Sequence, residues 1–291
     1  MDEKAFKQLV SNYMDVDAYF DVLSKKERTF RVNQIKISLD KFLEFSELNC
    51  NQDDAFPFIF RCDEDVKLGK TLEYFLGYIH TQSYSSLLPP LVLNPKPHSN
   101  VLDIASAPGG KTTEMADLMQ NTGFILAVDN KYDRIKMLVA NMRRLGVLNT
   151  AVLNADGRKL NLKNFFDFAL VDAPCSSLGS SLTPSKWWKP AKSRDFARIQ
   201  RKLLLSAFDA LKEGRTLVYS TCTFIEKENE GVVAFLLSQR ENAKILDIDL
   251  PIRHADGFSD FGKELKKTWR IYPEHVKSEV FYIAKIKKVE V

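Results

Sequence analysis

From Asn100 onward the chain alternates short, nearly unbroken apolar runs with longer amphipathic ones. V-L-D-I-A (101–105), F-I-L-A-V-D (124–129), A-V-L-N-A-D (151–156), F-D-F-A-L-V-D (166–172) and T-L-V-Y-S-T-C (216–222) have the length of strands. Helical stretches lie between them. One starts near Tyr132 and sets Ile135, Leu138, Val139 and Met142 on one face. A longer one runs from about Ser193 to Lys212, with Ile199, Leu203, Leu204, Ala207 and Leu211 at helical spacing. A helix through G-V-V-A-F-L-L and two strands, W-R-I-Y and V-F-Y-I-A-K-I, complete the pattern. Apolar strands joined through helices imply an α/β fold, a mostly parallel sheet with helices on both faces. In such sheets ligands bind beyond the carboxyl ends of the strands, so the residues there carry the functional reading.

The preceding segment differs. Two helices (about 3–12 and 15–26), a strand-like R-T-F-R-V-N-Q-I-K, a helix around S-L-D-K-F-L-E-F and a strand F-P-F-I-F-R predict a small α+β unit. The proline-bearing L-N-P-K-P-H-S-N (93–100) reads as a linker or edge loop, giving an N-terminal domain at 1–95 and an α/β domain at 96–291.

The apolar fraction of 45% supports a substantial core. A charged N-terminus without a signal-type apolar stretch, and no run of about 18 apolar residues, predict a soluble, cytoplasmic protein without membrane contact. The four cysteines (50, 62, 175, 222) include no C-x-x-C and the four histidines are isolated, so neither a disulfide framework nor a metal site is expected. All four thiols are expected to be free, Cys50 and Cys62 serving as small buried hydrophobes. A net charge of +4 favours a polyanionic partner only weakly. The clusters N-M-R-R-L (141–145) and K-I-K-K (285–288) read as solvated faces.

The strongest ligand signal is D-I-A-S-A-P-G-G-K-T-T (103–113), small residues between a strand and a helix. A phosphate-binding P-loop would need glycine where Ala105 stands, and G-x-G-x-x-G is missing, so neither phosphate motif fits. An uncharged nucleoside remains. Asp129 ends the next strand, placed to accept from ribose hydroxyls, and Asp156 follows the third, placed against an adenine edge. One such aspartate is as readily a helix cap; Asp129, Asp156 and Asp172 together point to S-adenosylmethionine.

Cys175 in D-A-P-C-S-S-L-G (172–179) and Cys222 in S-T-C-T-F also fall at strand ends. Carbon 5 of cytosine is a poor nucleophile, but a thiolate added to carbon 6 makes it enamine-like. The proton on carbon 5 must then leave before the thiolate can be expelled. One cysteine suits attack and a second suits release, with Asp172 placed to contact ring nitrogen 3. The residues alone do not assign which cysteine does which.

These motifs resemble the RNA 5-methylcytosine methyltransferases of the Nol/Nop/Sun family. The matching pieces are R-V-N-Q-I-K (31–36), Q-S-Y-S-S (82–86), A-S-A-P-G-G-K (105–111), A-V-D (127–129), A-D-G (155–157), D-A-P-C-S (172–176) and S-T-C-T (220–223). The resemblance implies a Rossmann-like methyltransferase sheet, Cys222 as nucleophile and Cys175 as the residue that helps release methylated RNA. It implies a cofactor pocket of Ala105, Ser106, Ala107, Pro108, Gly109, Gly110 and Lys111, completed by Asp129, Arg134, Asp156 and Asp172. Lys111 is also expected to reach the catalytic centre, where a cation lowers a thiol's pKa. The pattern departs from the family at Ser83, in S-S-L-T-P-S-K-W-W and in E-H-V-K-S-E-V-F-Y.

The target base must be extruded to be reached, and Trp187 and Trp188 are candidates to stack on it. The expected partner is RNA, tRNA ahead of rRNA because a short chain suits a compact substrate; no helper protein is indicated. Two other readings stay open: DNA cytosine methylation, and a non-catalytic RNA-binding assembly factor that keeps the fold.

Overall fold

The computed structural model describes residues 3–25, 27–180 and 190–290. The chain opens with α1 (Glu3–Ser11) and α2 (Val16–Ser24), then β1 (Arg28–Val32), α3 (Leu39–Phe45), β2 (Asn51–Gln52), β3 (Ile59–Cys62), α4 (Leu72–Leu76), β4 (Ile79–Thr81) and α5 (Tyr84–Leu93). The α/β part follows as β5 (Asn100–Asp103), α6 (Gly110–Leu118), β6 (Phe124–Asp129), α7 (Tyr132–Leu145), β7 (Thr150–Asn154), β8 (Phe166–Asp172), α8 (Pro190–Ala210) and β9 (Leu211–Thr221). It closes with α9 (Glu230–Gln239), β10 (Ala243–Leu246), β11 (Ala255–Asp256), β12 (Trp269–Ile271), α10 (Pro273–Val276) and β13 (Phe281–Lys288). Among the described residues no helix is long and apolar enough to cross a membrane.

The large sheet runs β11-β12-β13-β9-β8-β5-β6-β7, with β10 paired to β13. Strands β9, β8, β5, β6 and β7 are parallel, and β13 is antiparallel to β9. Successive residues of each strand feed opposite cores. Val101, Leu170 and Val218 pack with Leu87, Leu88, Met115 and Leu138 of α5, α6 and α7. Leu102, Val171 and Leu217 pack with Leu204, Phe208, Val232 and Leu236 of α8 and α9. The predicted α/β architecture is therefore the observed one. Chain order reverses between β5 and β8, and that crevice is where a ligand fits in such a sheet.

The four-stranded antiparallel sheet β2-β3-β1-β4 has its own core of Phe30, Phe42, Phe60, Leu68 and Ile79. Here the expectation of four free thiols is corrected: Cys50 and Cys62 form a disulfide. β2 pairs with β3 in the register Asn51↔Arg61, which sets Cys50 across from Cys62. Helices α1 and α2 lie elsewhere, burying Phe6, Val10, Tyr19 and Leu23 against Leu178, Phe224 and Val280. The Tyr19 hydroxyl donates to the Leu178 carbonyl at 2.5 Å, so this pair buttresses the loop that carries Cys175.

β1 stops at Val32 rather than running on to Lys36, because Asn33 turns inward and donates to the carbonyls of Gly77 and Leu145. Helix α5, to which the sequence pattern assigned no element, holds Pro89 and Pro90 inside it. Pro90 offers no N–H to the Ser86 carbonyl. Gln82 Nε2 donates to that carbonyl instead, at 2.9 Å.

Candidate active site

The loop after β5 is held from several directions. Ser106 donates through N and Oγ to the Val128 carbonyl at 3.0 and 3.1 Å. Ala107 N donates to Asp129 Oδ2 at 3.2 Å, and Asn141 Nδ2 to the Pro108 carbonyl at 3.0 Å. The Ala107–Pro108 peptide is cis, and Gly109 takes φ +101° to start α6. A Cβ on Gly109 would come within 2.6 Å of Leu138 Cδ1, so backbone angle and space both demand glycine there. Gly109→Ala is expected to destabilise the protein by about 1–3 kcal/mol and to weaken adenosylmethionine binding, read by urea unfolding and by calorimetric titration.

Each sequence-predicted residue has a definite place. Asp129, nearly buried at the end of β6, accepts from Ala107 N and from Lys131 N. Arg134 is half-exposed yet folds back, donating to the Ala107 carbonyl and lying 3.5 Å from Asp129. Asp156 sits two residues beyond β7 and does cap a turn, accepting from Arg158 N at 3.0 Å and pairing with its guanidinium at 2.7 Å. The Arg158 side chain holds its carboxyl below the ordinary value. Lys111 is not an exposed first-turn lysine. Its ammonium donates to Asp172 Oδ2 at 2.8 Å and Ser86 Oγ at 2.7 Å. Asp172 also accepts from Ser220 Oγ at 2.8 Å. Trp187 and Trp188 lie outside the described residues.

Beyond the strand ends opens a cavity of about 400 Å³, lined by Ala105, Pro108, Asp129, Arg134, Asp156, Asp172 and both Cys175 and Cys222. A second cavity, about 310 Å³, is lined by Lys111 and shares Ala105, Ala107, Pro108 and Asp172 with the first. The thiols are in the first. We place the chemistry there.

Cys175 Sγ and Cys222 Sγ are 3.2 Å apart, and Ser177 Oγ is 3.6 Å from Cys222 and 3.9 Å from Cys175. The pair is electrically asymmetric. The hydrogen bond from Cys175 lowers the Cys222 pKa below the ordinary 9.0, outweighing burial, and the Ser177 contact adds to it. The same hydrogen bond, then burial and the charge on Cys222, push Cys175 up. Of the two thiols, Cys222 is therefore the one that ionises more readily. Lys111, expected near the catalytic centre, is hydrogen-bonded to Asp172 and Ser86, and its charge also interacts favourably with that of an ionised Cys222.

Sequence reasoning missed the second layer. Glu228, fully buried, accepts from Ser176 N at 2.9 Å and Gln200 Nε2 at 3.2 Å, anchoring the Cys175 loop. Asn229 accepts from Thr221 Oγ1 at 2.5 Å and donates to the Thr223 carbonyl at 2.9 Å, clamping both sides of Cys222. The five polar residues E-K-E-N-E (226–230) running into an otherwise largely apolar helix were the available signal.

Comparison with known proteins agrees with this geometry. A family model described as 16S rRNA methyltransferase RsmB/F matches residues 90–287. The chain is 39% identical to a tRNA (cytosine(49)-C(5))-methyltransferase of Pyrococcus abyssi, an alignment covering 98% of this chain and 97% of that protein. It is 40% identical to the 25S rRNA (cytosine-C(5))-methyltransferase nop2 of Schizosaccharomyces pombe, over 78% of this chain and 40% of that longer protein. Among solved structures, a methyltransferase homologue from Pyrococcus horikoshii superposes with a TM-score of 0.82 at 30% identity, covering 99% of this chain and all of that one. Two strand-end thiols in contact, beside a loop that opens onto a strand-end cavity, thus accompany an alignment along nearly the whole chain, and the protein belongs to the RsmB/F, or Nol/Nop/Sun, family of RNA cytosine-C5 methyltransferases.

Proposed function

We propose that this chain methylates carbon 5 of a cytosine in tRNA, with S-adenosylmethionine as donor and Cys222 as the covalent nucleophile. The observation that carries the reading is the asymmetric thiol pair, 3.2 Å apart, on the wall of the strand-end cavity.

The residues present fit the cofactor. Two carboxylates, Asp129 and Asp156, face a cavity with Ile104, Pro108, Phe196 and Leu203 among its walls, a donor–acceptor set suited to a nucleoside. A Cβ on Gly157 would meet Ile104 Cγ1 at 2.7 Å, so that wall is pared back to backbone. Asp129 would hold the ribose, Asp156 the adenine edge, and the 105–111 loop with Asp172 the methionine end. The bound cofactor supplies an electrophilic methyl group.

Cys222, as thiolate, forms a bond to carbon 6 of the ring and shifts electron density to carbon 5, which takes the methyl group. Asp172, pinned by Lys111 and Ser220, is the group assigned to the nitrogen 3 edge. Completion requires loss of the carbon 5 proton and return of the carbon 6–sulfur electron pair to Cys222. Cys175 is suited to that step. Its pKa is raised by the hydrogen bond with Cys222, then by burial and the Cys222 charge, and both Cys222 contributions disappear once Cys222 is a neutral thioether.

The preference for tRNA is supported by the end-to-end match to the tRNA enzyme of Pyrococcus abyssi, whereas the chain covers 40% of the Schizosaccharomyces pombe rRNA enzyme. The test is methyl incorporation from labelled adenosylmethionine into tRNA transcripts, rRNA fragments and deoxy-oligonucleotides, with the modified base identified as 5-methylcytosine. Incorporation is expected in tRNA first. Exclusive use of the deoxy-oligonucleotides, or of rRNA, would overturn the assignment.

A further inference from the structure

Ser177 is the residue next to the two thiols whose backbone has the least reason to be serine. It takes φ +53°, a left-handed conformation that glycine adopts without cost. The loop imposes this from both sides. Ser176 N is held by Glu228 and Ser176 Oγ lies 2.8 Å from Thr223 Oγ1. On the other side Leu178 is buried with its carbonyl on Tyr19, and Gly179 N donates to the Cys222 carbonyl at 3.0 Å. A strained backbone held this firmly beside reactive groups points to function in the side chain it carries.

That side chain touches both sulfurs, closing a triangle with Cys175 and Cys222. We infer that Ser177 is a positioning residue for the nucleophile: its hydroxyl donates to the Cys222 thiolate, shares with Cys175 the task of holding that charge, and turns to Cys175 once Cys222 is bonded to carbon. This rests on the reading of Cys222 as nucleophile. The other charged groups around Cys222 are Asp172 and Glu279, which oppose its ionisation, Lys111, whose ammonium is paired to Asp172, and Glu228, whose charge bears on Cys175. Two carboxylates work against the thiolate and the Lys111 charge works for it, while the contacts made to the sulfur itself are those of Cys175 and Ser177.

The test separates hydroxyl from backbone. Ser177→Gly removes the hydroxyl and relieves the left-handed angle; Ser177→Ala removes the hydroxyl and keeps the strain. The pH dependence of iodoacetamide alkylation is followed for each cysteine by mass spectrometry on wild type and both variants, without RNA or cofactor. Both variants are expected to move the Cys222 midpoint upward by about one pH unit, with alkylation about tenfold slower below it. The Gly variant is expected to melt at or above wild type. Unchanged midpoints in both variants would overturn the inference, as would a shift in only one of them, which would mark a backbone effect. If Cys175 rather than Cys222 is the more reactive thiol in wild type, the nucleophile assignment itself fails, a result distinct from failure of the Ser177 inference.

Discussion

Replacing Cys222 with alanine is expected to lower kcat/KM for RNA methylation at least about a thousandfold, while urea unfolding and adenosylmethionine affinity stay close to wild type. The side chain is only partly buried and lines the cavity, so little core is lost. The catalytic loss is large because carbon 5 has no other route to nucleophilic character. The same assignment fixes the pH dependence. The active form is the deprotonated one, and Cys222 ionises below the ordinary thiol value of 9.0 because its hydrogen bonds with Cys175 and Ser177 favour the ionised sulfur. The rate is therefore expected to rise with pH to a plateau, with the midpoint of the acid limb below that value. Cys175→Ala removes the larger of those contacts and should move the acid limb of covalent adduct formation upward. A Cys222→Ala enzyme that keeps a sizeable fraction of wild-type rate would sink the mechanism.

The second large effect is on stability. Arg270 and Glu230 are 1% and 0% exposed in their side chains and meet in a two-pronged pair, Nε to Oε1 at 2.7 Å and Nη2 to Oε2 at 2.6 Å. Arg270 also donates to the Phe224 carbonyl at 2.9 Å and stacks on Phe258 at 3.8 Å. Arg270→Met leaves the Glu230 carboxylate buried with Phe258 N as its remaining hydrogen-bond donor. Equilibrium urea unfolding is expected to show a loss of about 3–5 kcal/mol. The double variant Arg270→Met, Glu230→Leu should recover most of it, since two apolar groups need no partner. Glu230 continues the turn whose Glu228 and Asn229 clamp the two cysteine loops. The single variant should accordingly lose activity at temperatures where it is still folded.

The parallel sheet was legible because β5, β6, β8 and β9 are apolar enough to require cover on both faces. The thiols and Asp129 were legible because strand ends are where such a sheet presents its ligands. What escaped depends on partners distant in the chain. The Cys50–Cys62 bridge follows from β2–β3 register, which no spacing rule reveals; the expectation of free thiols rested on compartment, a weaker argument than geometry. Helix α5 carries two internal prolines, which disfavour a helix locally, and the compensation comes from Gln82, outside the helix. Asp156 was read as a nucleoside ligand, and the local turn shows it capping and pairing with Arg158 as well. Ser177 and Glu228 carry no motif. Only the folded loops bring them to the thiols.

The central claim is the division of labour between the two cysteines, and a denaturing gel tests it most directly. The Cys175→Ala enzyme is incubated with adenosylmethionine and tRNA, and a covalent protein–RNA band is sought. The account predicts that the band accumulates, because attack through Cys222 proceeds while release is blocked, and that it vanishes when Cys222 is also changed to alanine. A band that persists in the double variant, or that forms with Cys222→Ala but not with Cys175→Ala, would contradict it.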